Sequence, residues 1–211
     1  MLRKAAEDVR YLVDRGYPKE SAVRFVSDHY RLHEEQRFVL SRIVVATQTA
    51  QLRRKKAVLA EALQRKDVIV DGYNILISIE SLLGGMPVYS CDDGFLRDTR
   101  GIFRSYRTSD LTAPAIQEIL NLLAKSNPSS VVILLDQQIS MSGRLAALLR
   151  EMMATIGLPG TARTARDVDH QLKSSRAIVA TADGNIIDAA ERVIDIPREI
   201  ARRRGSPIEV L

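Results

Sequence analysis

The stretch Val68-Ile69-Val70-Asp71-Gly72-Tyr73-Asn74 decides the fold. Three consecutive apolar, β-branched residues make a short continuous hydrophobic run, the pattern of a strand buried within a parallel sheet. The run ends in aspartate and glycine. Two later segments repeat the theme: Val131-Val132-Ile133-Leu134-Leu135 ends in Asp136, and Ala177-Ile178-Val179-Ala180-Thr181 leads to Asp183. Residues 113–125, 144–155 and 168–174 read as helical. A weak strand is expected at 161–165 and a last one at 192–196, before a basic terminal helix from Pro197. Strands alternating with helices predict an α/β fold with a mostly parallel central sheet. Ligands of such sheets bind beyond the carboxyl ends of the strands.

Upstream of Asp67 the pattern is helical, so the expected division is a small all-helical domain, 1–66, followed by an α/β domain, 67–211. Val9, Leu12 and Val13 share a helix face; Gly16 and Pro18 separate that helix from a second one. A third, longer helix is predicted over about 33–65, with Val39, Ile43, Ala46 and Ala50 as its apolar stripe. Residues 1–66 carry a net charge of +7 and residues 67–211 a net of −2, which together give the +5 of the chain. A basic half suits a polyanion. Its densest cluster is Arg53-Arg54-Lys55-Lys56, expected either to contact nucleic acid or to form a solvated helix surface.

Other classes are disfavoured. No apolar run approaches the ~20 residues of a membrane span, and the first residues lack a signal-peptide core. A cytoplasmic protein without a membrane partner is expected. Cys91 is the only cysteine, which excludes an intrachain disulfide and predicts an inert thiol.

The aspartates at the strand ends carry the functional argument. Parallel strands would bring Asp71, Asp136 and Asp183 to one sheet edge. Asp169, two residues after Asp167, heads the helix before the third strand. One such aspartate is an ordinary helix cap. Several together repel one another and call for a hard divalent cation, Mg²⁺ or Mn²⁺, which prefers oxygen ligands and can promote phosphodiester hydrolysis.

The segment from Asp67 to about Pro197 resembles the PIN superfamily of nucleases, including its NYN branch. Residues 68–74 resemble the opening strand of NYN-type domains, with its metal-binding aspartate and the asparagine three residues on. Residues 131–136 with Ser142-Gly143-Arg144 resemble the second strand and its acid. Asp169 and residues 177–183 resemble the closing acid, helix, strand and Thr-x-Asp signature. The whole chain resembles a prokaryotic family in which a basic helical domain precedes a PIN-like part. The resemblance implies a three-layer PIN-like fold, with Asp71, Asp136, Asp169 and Asp183 as catalytic, metal-binding acids and Asn74 as their hydrogen-bonding support. Many PIN domains take a further acid from a helix between the first two strands. Asp92, Asp93 and Asp98 are the candidates for it here, with a solvated turn as the alternative.

Residues 95–106 are predicted to be helical. Arg97, Arg100, Arg104 and Arg107 would then share one face, as a phosphate track or as a solvated stripe. Tyr73 and Tyr106 are candidates for base stacking or for the core. His29 and His33 are one helical turn apart, without an evident third ligand. Arg202-Arg203-Arg204 would complement a helix C-terminus. The expected activity is a metal-dependent ribonuclease, endonucleolytic, acting on single-stranded or structured RNA, with a homo-oligomer left open. The alternatives are a non-catalytic RNA-binding PIN-like module and, further off, a phosphatase with Asp71 as nucleophile. Tyr73 stands where that chemistry would want a second aspartate.

Overall fold

The computed structural model describes residues 1–211, the side chain of Arg104 excepted. The chain runs through α1 (Leu2–Val13), α2 (Lys19–His29), α3 (Glu34–Ile43), α4 (Thr47–Lys56), β1 (Ala57–Val58) and a 3₁₀ turn (Ala60–Leu63). Next come β2 (Asp67–Asp71), α5 (Gly72–Leu83), β3 (Val88–Ser90), β4 (Leu96–Asp98), a second 3₁₀ turn (Phe103–Ser105) and α6 (Thr112–Lys125). β5 (Ser130–Asp136), α7 (Ser142–Thr155), β6 (Gly160–Ala165) and α8 (Val168–Lys173) follow. The last elements are β7 (Ile178–Ala180), α9 (Gly184–Ala189), β8 (Val193–Ile194) and α10 (Ile196–Arg204).

These elements form two compact units. The first unites Met1–Lys55, Pro87–Gly101 and Pro207–Leu211; the second unites Lys56–Met86 and Ile102–Ser206. The division therefore differs from a single boundary at 66/67. β1 and the first 3₁₀ turn already belong to the sheet-bearing unit. The charged segment around Asp92 and Asp93 belongs to the helical one.

In the first unit, Ala5, Ala6 and Val9 of α1, Ala22, Val23 and Val26 of α2, and Val39, Leu40 and Ile43 of α3 pack into one apolar cluster. The predicted long third helix is two helices. Ile43-Val44-Val45 is a β-branched run, poor in helix propensity, and Val44 is extended (φ −80°, ψ 129°). Tertiary bonds fix the break. The Val45 N–H donates to Asp92 Oδ2 (3.1 Å), and Thr47 donates from N and Oγ1 to the Asp14 carboxylate (2.7 and 2.8 Å). The helix predicted over 95–106 is absent too. β3 and β4 form an antiparallel hairpin, pairing Val88 with Asp98 and Ser90 with Leu96. Gly94, at φ +86°, makes the turn between them.

In the second unit the described strands form a sheet in the order β1-β8-β7-β2-β5-β6, and every neighbouring pair is parallel. Chain direction explains the layers. From β2 the chain steps to β5 and then β6 through α5, α6 and α7. From β7 it steps the opposite way to β8 through α9. Right-handed crossovers put these two sets of helices on opposite faces. α5, α6 and α10 pack together, as do α8 and α9. The winding reverses between β2 and β7, the position at which sheets of this kind bind ligands beyond the carboxyl ends of their strands. α5 is buried nearly all round, from Gly72 to Leu82. Among the described residues no helix is long and apolar enough to cross a membrane.

Candidate functional site

Asp71 is the last residue of β2, at the reversal of winding, and is 7% exposed. The next residue has to be glycine. A Cβ on Gly72 would lie 2.6 Å from the Leu134 carbonyl oxygen and 2.7 Å from Leu135 Cδ2, both on β5. This close approach starts α5 directly at the strand end. It places Asn74 in the first turn, where Asn74 Oδ1 accepts a hydrogen bond from the Ala182 N–H (3.0 Å). The strand pairing sets Val70 beside Ala180, so Asp71 lies level with Thr181. The buried Thr181 hydroxyl donates to Asp71 Oδ2 (2.9 Å) and accepts from the Asp183 N–H (3.1 Å). One threonine thus ties the first acid to the segment carrying the last.

Asp183 caps α9, its Oδ1 accepting from the N–H groups of Asn185 (2.8 Å) and Ile186 (3.2 Å). Asp136 closes β5, the other neighbour of β2, and its Oδ1 accepts from the Gln138 N–H (2.8 Å). Asp169 is exposed in the first turn of α8. Asp71 pairs with Leu134, two residues before Asp136. The three strand-end acids therefore share one edge of the sheet.

Electrostatics mark Asp71 as the strained member. Burial pushes its carboxyl up to about 7; the Thr181 hydrogen bond opposes this, while Asp183 and Asp169 add to it. Tyr73 is buried, with its ring edge-on to Tyr106 (5.2 Å between centroids) and Phe103 (6.0 Å). Its hydroxyl is pushed up to about 12 by burial and then by Asp136. Tyr106 donates to the buried Glu80 (2.7 Å), as does Thr112 (2.6 Å). Both tyrosines are core residues, so neither is placed for base stacking. Glu80 is a buried acid that the sequence reading did not single out. Thr181 entered that reading only within the Thr-x-Asp signature, without a role of its own.

Could these residues hold a divalent cation? Their donors are all carboxylate oxygens, the hard ligands such an ion prefers. Asp183 Oδ2 and Asp136 Oδ2 take no hydrogen bond among the described residues. A cation would offset the repulsion that Asp183 and Asp169 add to the burial of Asp71. The chemistry fits. Among the described residues, though, no three acidic, histidine or cysteine side chains already converge as a ligand set.

Most of the remaining candidates belong to the first unit. Asp93 is fully buried in the first unit, held by Arg97 and Arg53, and does not belong to the unit bearing Asp71. Asp98, in β4, accepts from the Arg100 N–H (3.0 Å). Asp92 pairs with Arg10 (2.8 Å). Arg97 is buried in β4 and Arg100 follows that strand, so no helical arginine stripe forms. The Arg104 side chain lies outside the described residues. Of the basic run, Arg53 pairs with Asp93 (3.0 Å), and Arg54 donates to the Asp92 carbonyl. Lys56 donates to the carbonyls of Ile187 (3.0 Å) and Asp188 (2.6 Å) near the end of α9, so Lys55 alone is simply exposed. His29 and His33 are exposed. Cys91 is buried, and burial pushes its thiol up.

Comparison with known proteins gives a family. Residues 1–56 match the family described as a protein of unknown function, DUF434. Residues 60–199 match the domain of unknown function DUF5616. The two matches meet near the Lys55–Lys56 division of the compact units. The chain is similar to "Uncharacterized protein MJ0935" of Methanocaldococcus jannaschii, 34% identical over 200 residues, which covers 94% of this chain and 95% of that protein. No solved structure matches. With two-thirds of its length under one family and nearly all of it aligned to this relative, the chain belongs to the DUF5616 family.

Proposed function

We propose that the second unit is a PIN-like, metal-dependent nuclease that hydrolyses RNA phosphodiesters endonucleolytically. The observation that carries this reading is Asp71, buried at the reversal of winding, level with Thr181 and in the field of Asp183 and Asp169. Asp136 supports it from the neighbouring strand. Asp71, Asp136, Asp169 and Asp183 would hold Mg²⁺ or Mn²⁺. When bound, such an ion activates water and neutralises charge on the phosphate. The chain's own residues supply the rest. Thr181 holds Asp71 by one oxygen. Asn74 anchors the segment between Thr181 and Asp183 through the Ala182 N–H, and α9 fixes the Asp183 carboxylate by its Oδ1.

The test is cleavage of labelled single-stranded RNA by the full chain with and without Mn²⁺. Wild type is expected to cut only with the ion. Asp71→Asn is expected to lose at least ~100-fold in rate, the scale of losing a group that positions a metal. Wild-type activity in Asp71→Asn would place the chemistry elsewhere. RNA binding by wild type with neither cleavage nor a Mn²⁺-dependent melting shift would turn the reading to a non-catalytic RNA-binding module.

A further inference from the structure

Ser142-Gly143-Arg144 follows the second acid in sequence, and the fold sets it at the aspartate edge. β5 and β6 run parallel, so the crossover between them leaves from the carboxyl end of β5. Two backbone turns lead from Asp136 straight into α7. The Ile139 N–H donates to the Asp136 carbonyl (3.3 Å), and the Ser142 N–H donates to the Ile139 carbonyl (3.2 Å). α7 is 14 residues long, and Ser142 is its first residue. Met141 precedes it without a side-chain cap, and no acid occupies its first turn.

Three donors meet at that helix end. The Gly143 N–H makes no hydrogen bond among the described residues, and a Cβ on Gly143 would meet nothing within 4 Å. Ser142 is only 5% exposed, yet its hydroxyl has no hydrogen-bond partner among the described residues. In a helix the Cα–Cβ bond tilts toward the N-terminus, so this short side chain keeps its oxygen at the open end. A hydroxyl taken out of water without a partner is destabilising, and a bound acceptor removes that cost. Arg144 is exposed and makes no ion pair among the described residues. A backbone N–H, a hydroxyl and a guanidinium thus gather at the positive end of the helix dipole, and the ligand that satisfies all three is an anion.

We propose that the first turn of α7 holds a backbone phosphate of the substrate strand, beside the phosphate that meets the aspartates. The Gly143 N–H and the Ser142 hydroxyl donate to its two unesterified oxygens, and Arg144 adds its charge from the solvent side. That the anion belongs to an RNA strand rests on the nuclease reading. The arrangement answers a difficulty in that reading. An edge of carboxylates repels a polyanion, and these donors give the same edge a hold on the strand that needs no metal.

The experiment measures binding of a fluorescent, 5′-hydroxyl single-stranded RNA to the full chain in EDTA over a range of salt. No divalent ion then mediates, and the only phosphates offered are those of the backbone. Arg144→Gln is expected to weaken binding roughly ten-fold, as for a lost hydrogen bond between charged groups. It should also lower the log–log salt slope by about 0.7, the share of one phosphate on a single strand. Ser142→Ala should weaken binding several-fold with the slope unchanged, since it removes a donor but no charge. Gly143→Asp separates binding from folding. Its side chain enters open space, and an acid in the first turn complements the helix end, so this variant should melt no lower than wild type. It should nevertheless bind RNA at least as poorly as Arg144→Gln, because the new carboxylate occupies the place of the phosphate. No RNA binding by wild type, or unchanged affinity and slope in both Arg144→Gln and Gly143→Asp, would overturn the proposal. The nuclease reading fails on a separate result, the absence of Mn²⁺-dependent cutting by wild type.

Discussion

Asp71 shows what one buried carboxylate does to a fold. Its carboxyl sits at about 7 in the native chain against an ordinary 3.8, with burial as the main cause. The native state therefore binds the proton more tightly than the unfolded state, and stability falls as pH rises between those two values. Asp71→Asn removes this penalty. In metal-free buffer the variant should melt higher than wild type at pH 8, and the difference should vanish below about pH 4. A variant less stable than wild type at pH 8 would mean that the carboxylate is already well compensated. With Mn²⁺ the order should narrow or reverse, since wild type gains more by mass action. Asp71, Asp136 and Asp183 were legible in the sequence because each follows an apolar run. Asp93 was equally conspicuous, but its partners decide its role. Burial alone would push its carboxyl up, while Arg97 and then Arg53 hold it below the usual range. Nothing in the order of residues says that Arg53, forty positions away, ends beside it.

At the level of elements, the sequence reading succeeded where burial has a simple period. β2, β5 and β7 are continuous apolar runs, and α6 and α7 carry clear apolar faces. α5 was missed because it is buried on every side, so it shows no polar stripe to give a helical period. The segment around Arg97 was misread for the opposite reason. Arginines at 97, 100, 104 and 107 have helical spacing, but Arg97 lies in a strand and is buried by pairing with Asp93. The two assignments differ in energy. An arginine on a solvated helix face costs within ~0.5 kcal/mol when replaced. Removing Arg97 leaves the buried Asp93 to Arg53, so the cost should lie between ~1 kcal/mol and the about 3–5 kcal/mol of a buried pair broken outright. Urea unfolding of Arg97→Met should show a loss of that size. The double variant Asp93→Asn with Arg97→Met should recover part of it; a loss below ~1 kcal/mol in the single variant would contradict the buried pair.

At the scale of the whole molecule, alternating strands and helices were enough to predict a parallel α/β sheet, but not the strand order that reverses between β2 and β7. Nor could they show that the first unit is assembled from three stretches of chain, 1–55, 87–101 and 207–211. The third stretch is held in place by backbone bonds. Ser90 N–H donates to the Glu209 carbonyl (2.9 Å), and Glu209 N–H donates to the Val88 carbonyl (2.9 Å). Deleting residues 207–211 should speed hydrogen exchange at Ser90 while leaving the strand amides of β2 and β5 protected; unchanged exchange at Ser90 would show that the hairpin stands without them. The threading also sets an order in time. During synthesis the four helices of the first unit emerge before the sheet, yet the hairpin that completes them follows β2, and the segment that docks on the hairpin follows the entire sheet. Closing that last contact means bringing residue 209 back to residue 89 across more than a hundred residues. An unfolded chain would lose entropy in that closure. A folded sheet unit has already spent most of that freedom, so the unit whose synthesis begins first is the last to be finished.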